Sequence, residues 1–150
     1  MNAADPLLRV ADLKVVFYRD GRRRTHAVDG VDLSLERGRT LGLVGESGCG
    51  KSVTALAIMG LLPTETSAVS GTVCLADVDL LALPAAQLRD LRGDRLAMFF
   101  QEPMTSLNPS YTVGEQIIEV LRRHRGLRRA SRLNRTVAKR WHSVTANPRR

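Results

Sequence analysis

Past Glu119 this 150-residue sequence contains no acidic residue at all. All 15 Asp and Glu lie in residues 1–121, where 12 Lys and Arg leave a net charge of −3. Residues 122–150 hold the other 11 Lys and Arg. The overall charge of +8 is therefore a property of the C-terminal stretch and does not mark the whole domain as a polyanion binder. Cysteine is equally scarce. Cys49 and Cys74 stand far apart with no C-x-x-C, which offers no basis for a structural disulfide. Long hydrophobic runs are missing too: Val53 to Leu62 is broken by Thr54 and Gly60 and falls short of the roughly 20 residues of a spanning helix. The N-terminus places Asp5 and Pro6 before any apolar stretch, unlike a signal peptide. These absences make the cytosol the expected compartment, and the length suits one domain with room for a hydrophobic core.

What is present reads as strands alternating with helices. Leu7 to Phe17 alternates loosely, with Leu13, Val15 and Phe17 on one side, and predicts a strand. Val28 to Leu35 puts Val31, Leu33 and Leu35 on one face of a second strand. Thr40 to Val44 predicts a short strand buried on both faces, and a Gly-rich turn over 45–50 leads into a helix from Lys51 to about Leu61, ended by Pro63. Further expectations are a strand over Thr72 to Ala76, a short helix within Leu80 to Leu91, a buried strand over Arg95 to Phe100 and helical spacing from Val113 to Leu121. The pattern is an α/β architecture with an antiparallel layer formed by the N-terminal strands. Residues 1–121 form the domain; residues 122–150 form a basic tail, partly helical or irregular.

Residues 45–52 read GESGCGKS, the G-x-x-x-x-G-K-[ST] pattern, set between a predicted buried strand and a predicted helix as the phosphate-binding loop requires. Gly45, Gly48 and Gly50 permit backbone conformations in which successive N–H groups meet an anion, and the helix from Lys51 adds its positive end. Lys51 suits the β- and γ-phosphates of a nucleoside triphosphate, and the Ser52 hydroxyl suits Mg²⁺. Glu46, Ser47 and Cys49 fill the free positions of the loop; Cys49 reads as a small residue that fits there, with a redox role as the alternative.

The stretch HAVDGVDLSLERGRTLGLVGESGCGKSVTALAIMGLLP, His26 to Pro63, resembles the start of an ABC transporter ATP-binding subunit. More narrowly it looks like the dipeptide, oligopeptide and nickel uptake branch, with SVTALAIMGLLP similar to one of that branch's two paired ATPases. MFFQEPMTSLNP, Met98 to Pro109, looks like the same branch's Q-loop and is followed by the similar YTVGEQI. The resemblance spans roughly residues 7–126. It implies a partial P-loop NTPase core that binds Mg-ATP through Gly45, Glu46, Ser47, Gly48, Cys49, Gly50, Lys51 and Ser52. It also implies that Gln101, the Q-loop glutamine, reaches the metal and the attacking water, a task suited to an amide that both accepts and donates. An aromatic residue of the first strand would stack on adenine: Phe17, with Tyr18 as the alternative. Implied partners are transmembrane permease subunits and a second ATPase subunit, at the inner face of the cell membrane.

The departures from the family matter as much. These 150 residues contain no LSGGQ-like signature, no Walker B run of four apolar residues ending in Asp-Glu, and no switch histidine in a matching context; His124 and His142 read as surface residues. The resemblance thus implies a C-terminally truncated domain that binds ATP and hydrolyses it poorly or not at all. The alternative function is a nucleic-acid-binding protein acting through the basic tail. Trp141 is the tail's only aromatic and no recognition motif accompanies it, so specific nucleic-acid binding is not expected. A P-loop kinase or GTPase has no place for the Q-loop segment.

Overall fold

The computed structural model describes residues 6–19, 23–100 and 107–125. The chain divides into two units between Leu88 and Arg89. In the first unit, β1 (Leu8–Arg19), β2 (Arg23–Leu35), β3 (Ser67–Leu75) and β4 (Val78–Asp79) form an antiparallel sheet in the order β2-β1-β3-β4. Helix α1 (Lys51–Ile58) lies against β1 and β2.

The loose alternation of β1 has a structural cause. Asp12 adopts a positive φ of 47°, and the register of β1 shifts there against both β2 and β3. The bulge changes the parity of the strand, so Val10 before it and Leu13 and Val15 after it are all buried. The Asp32 side chain accepts a hydrogen bond from the Asp12 N–H at 2.8 Å, satisfying a group taken out of the ladder. Val10 pairs with Val73, Leu13 with Val31 and Val15 with Val28, bringing β-branched and leucine side chains together across the strands. Val28, Ala57, Met59, Leu75 and Leu80 complete the core. Each fully buried Val or Leu contributes about 1.5–3 kcal/mol. In β2, residues 31, 33 and 35 are half-buried and 32 and 34 exposed, as the alternation predicts.

Several elements differ in extent from expectation. β2 starts at Arg23, β3 starts at Ser67 and α1 ends at Ile58. The Met59 N–H still donates to the Ala55 carbonyl, and the Leu61 N–H to that of Leu56, before Pro63 stops the chain. β4, too short to carry a periodicity, pairs with the end of β3 through the turn at Ala76-Asp77.

Two expected strands do not form. Residues 40–44 and 95–100 belong to no sheet. Leu41 and Leu43 are half exposed and Val44 is 94% exposed; Phe99 is 97% exposed. The physical reason is pairing. A strand buried on both faces needs a neighbour on its edges and layers on its faces; among the described residues 40–44 has no ladder partner, and 95–100 has only the isolated bridge of Leu96 to Arg92.

Helix α2 (Ala85–Leu91) spans the division between the units, its first turn closed by the Pro84 carbonyl, which accepts from the N–H groups of Gln87 and Leu88. The second unit contains α3 (Val113–Arg125). Its start is a reciprocal cap: the Thr112 N–H donates to the Glu115 carboxylate at 2.9 Å, and the Glu115 N–H donates to the Thr112 hydroxyl at 3.3 Å. Asp90 pairs with Arg123, and His124 is half-buried beside Gly93.

Candidate functional site: the phosphate loop

The loop 45–50 enters α1 through two residues in the left-handed region, Gly48 at φ 84° and Gly50 at φ 94°. At Gly50 space as well as conformation demands glycine, since an added Cβ would lie 2.5 Å from the Ala27 carbonyl oxygen of β2. At Gly48 no heavy atom lies within 4 Å of that position, so only the backbone angle favours glycine there. The sheet thus braces the end of the loop through Ala27. Thr54, buried in α1, locks the same end: its N–H and its hydroxyl both donate to the Gly50 carbonyl, at 2.8 and 3.0 Å.

What this leaves is a row of donors. The N–H groups of Ser47, Gly48, Gly50 and Ser52 have no acceptor among the described residues, and that of Lys51 faces only the Cys49 sulfur. Those of Lys51 and Ser52 belong to the first turn of α1, where the helix dipole favours an anion and no acidic side chain competes. The Ser52 side chain is exposed and makes no hydrogen bond to a described residue.

Lys51 bends back over this row. Its Nζ donates to the carbonyls of Gly45 at 2.7 Å and Glu46 at 2.6 Å, and to Cys49 Sγ at 3.2 Å. The ammonium pulls the exposed Cys49 thiol below its ordinary value of 9.0, chiefly through that hydrogen bond. Carbonyls are neutral acceptors, and phosphate oxygens, being anionic, make shorter and stronger bonds to an ammonium. The donor row, the lysine and a free hydroxyl fit a magnesium-bound polyphosphate in charge and in donor type. Among the described residues no cluster of His, Cys, Asp or Glu could hold a metal ion by itself.

The aromatic candidates sit differently. Phe17 is half-buried, at the register of Thr25 on one side and Ser67 on the other. Tyr18 is exposed, with the Arg24 guanidinium carbon 5.9 Å from its ring centroid. Gln101 lies outside the described residues, as do Trp141 and His142. Two contributors escaped the sequence reading. Ala27 acts through its backbone and leaves no sequence signal, whereas Thr54, a polar residue on the otherwise apolar run after Ser52, could have been found there.

A sequence profile described as ABC transporter matches residues 28–147, a span that holds the whole loop, the Q-loop-like segment and most of the basic stretch. The chain belongs to the ABC transporter family. A probable peptide ABC transporter ATP-binding protein of Sinorhizobium fredii is 48% identical over 135 residues, which cover 89% of this chain and 40% of that relative. Oligopeptide transport ATP-binding proteins of Bacillus subtilis and Salmonella typhimurium are each 45% identical, over 132 and 134 residues. These cover 87% and 89% of this chain and 40% and 39% of the relatives. This ABC family chain thus spans about two fifths of the length of the curated relatives it matches. No helix among its described residues is long and apolar enough to cross a membrane.

Proposed function

We propose that this chain binds Mg-ATP through residues 45–52 as the nucleotide-binding part of an ABC importer of peptides. The observation that carries the reading is the row of N–H donors of Ser47, Gly48, Gly50 and Ser52 without an acceptor among the described residues, beneath a lysine held only by neutral carbonyls and a thiol. The family membership and the names of the relatives support a peptide as the transported solute. In this role Gly45 to Ser52 hold the triphosphate, Ser52 and Gln101 contact Mg²⁺, and Phe17 or Tyr18 stacks on the adenine. The chain works at the inner face of the membrane against permease subunits and a second ATPase subunit. Turnover by these 150 residues alone is weak or absent, because they supply no signature segment, Walker B carboxylates or switch histidine.

Titration with a fluorescent ATP analogue tests the loop. Lys51→Ala removes charge-assisted bonds of about 2–3 kcal/mol, so affinity falls roughly 30- to 150-fold with the circular dichroism spectrum unchanged. Equal affinity in the two proteins refutes the assignment. A phosphate-release assay on the same samples tests turnover, expected near background with Mg-ATP bound.

A further inference from the structure

Thr54 carries a hydroxyl where the packing calls for none. The residue is 4% exposed, on a helical run whose neighbours Val53, Ala55, Leu56, Ala57 and Ile58 are apolar. Valine has nearly the same shape and needs no partner, whereas a hydroxyl taken out of water must be bonded. The bond it makes, to the Gly50 carbonyl at 3.0 Å, closes no gap in the helix ladder, because the Thr54 N–H already donates to that carbonyl at 2.8 Å. Side-chain bonds to the carbonyl four residues back slightly destabilise a helix. The hydroxyl therefore serves something other than the stability of α1.

The peptide it grips is the one that most needs a grip. Gly50 stands at φ 94° and ψ 0°, and a glycine does little to restrain rotation about its own bonds. The Ala27 carbonyl limits how far Gly50 can shift but does not stop the peptide after it from turning. In a trans peptide the C=O and N–H point in opposite directions. Drawing the Gly50 carbonyl into α1 thus aims the Lys51 N–H into the loop, where it faces only the weakly accepting Cys49 sulfur. We propose that Thr54 is a positioning residue for the phosphate loop: its hydroxyl, together with its N–H, clamps the Gly50–Lys51 peptide so that the Lys51 N–H stands ready for a phosphate oxygen. Thr54 itself does not touch phosphate. The inference rests on the reading of residues 45–52 as a polyphosphate cradle and adds the side chain that preorganises it.

The test compares the full chain with its Thr54→Val, Thr54→Ser and Thr54→Ala variants, by titration with a fluorescent ATP analogue and Mg²⁺ and by urea unfolding. Thr54→Val keeps the packing and loses the hydroxyl. Its urea midpoint should stay near that of wild type while affinity falls about three- to tenfold, the size of one neutral hydrogen bond. Thr54→Ser loses a buried methyl and keeps the hydroxyl, so its midpoint should drop while affinity stays within about twofold of wild type. A role confined to stability would move both quantities together. Should Thr54→Val fail to fold, Thr54→Ser against Thr54→Ala isolates the hydroxyl with the methyl absent from both, and Thr54→Ala should bind more weakly by the same factor. The proposal is overturned if Thr54→Val binds as tightly as wild type, if Thr54→Ser loses as much affinity as Thr54→Val, or if Thr54→Ala matches Thr54→Ser. A wild-type chain that binds no analogue sinks the reading of the loop and this inference with it, whereas binding that ignores the hydroxyl sinks this inference alone.

Discussion

The antiparallel sheet and the 40–44 segment lie in the same unit, and both are rich in Leu and Val, yet only one of them forms strands. The difference is where the partner sits in the chain. β1 finds β2 close by in sequence and β3 within the same unit, and its bulge is tied by Asp32. The 40–44 segment has the composition of a buried strand and no partner among the described residues. Apolar character makes a segment suited to burial; a hydrogen-bonded neighbour decides whether burial happens.

Core truncation breaks this comparison most strongly. Leu13→Ala deletes a fully buried side chain at the centre of the sheet and should lower unfolding free energy by about 2–5 kcal/mol in urea titrations. Leu43→Ala, chemically the same change, should shift it by no more than about 0.5 kcal/mol. Equal losses would mean that residue 43 is buried in solution. Gly50→Ala comes next, since its Cβ meets the Ala27 carbonyl at 2.5 Å and its φ is 94°. A cost of about 1–3 kcal/mol is expected, with analogue binding weakened about tenfold or more. Gly48→Ala, equally left-handed but with open space, should cost about half as much. Identical effects at the two positions would remove Ala27 as the brace of the loop.

The sheet was legible in the sequence because its signals are local. The alternation at 31, 33 and 35 marks the buried face of β2, and the pairing of Leu13 and Val15 marks that of β1. The parity change at Asp12 was visible only as looseness, since nothing in the residue type announces a bulge. The candidate loop over 45–52 stood out for a different reason: the anion cradle proposed for it needs glycine, lysine and serine at fixed spacing, a pattern readable in the string. Thr40 to Val44 and Arg95 to Phe100 misled because a strand buried on both faces is recognised by composition alone, and composition does not reveal whether a neighbour exists. The cap of α3 was present as T-V-G-E, the Ser/Thr-x-x-Glu pattern, and could have been read from the sequence.

A thiol comparison sharpens the contrast between loop and sheet. Cys49 is exposed beside Lys51, while Cys74 is half-buried in β3. With its pKa held below the ordinary 9.0, Cys49 carries more thiolate near neutrality, and its alkylation should level off at a lower pH than that of a free thiol. Maleimide should therefore label Cys49 several-fold faster than Cys74, and Lys51→Ala should shift the Cys49 rate profile to higher pH. Equal rates for the two cysteines, or a profile unmoved by Lys51→Ala, would show that the ammonium does not sit on the sulfur in solution.

The smallest effect separates local support from sheet support. Helix α3 is secured at its start by Thr112 and Glu115. The Glu115 carboxyl lies below its ordinary 4.5, first because the Thr112 N–H donates to it and then because the Thr112 hydroxyl does. A carboxylate whose pKa is lower in the folded helix favours the helix above the unfolded pKa, and that support is lost as pH falls through the folded value. Acidification below about 4.5 should thus fray the first turn of α3, seen as faster exchange of the Gln116 amide, which the Thr112 carbonyl holds. Glu115→Gln, whose amide oxygen still accepts from Thr112 but does not titrate, should flatten that dependence, and Thr112→Ala should raise the coil-to-helix ratio roughly fivefold, the size of one N-cap. β1 amides should ignore all three changes, because their stability comes from cross-strand pairs and not from a titrating cap. An acid response shared equally by α3 and β1 would mean that the two units unfold together and that the cap has no separate role.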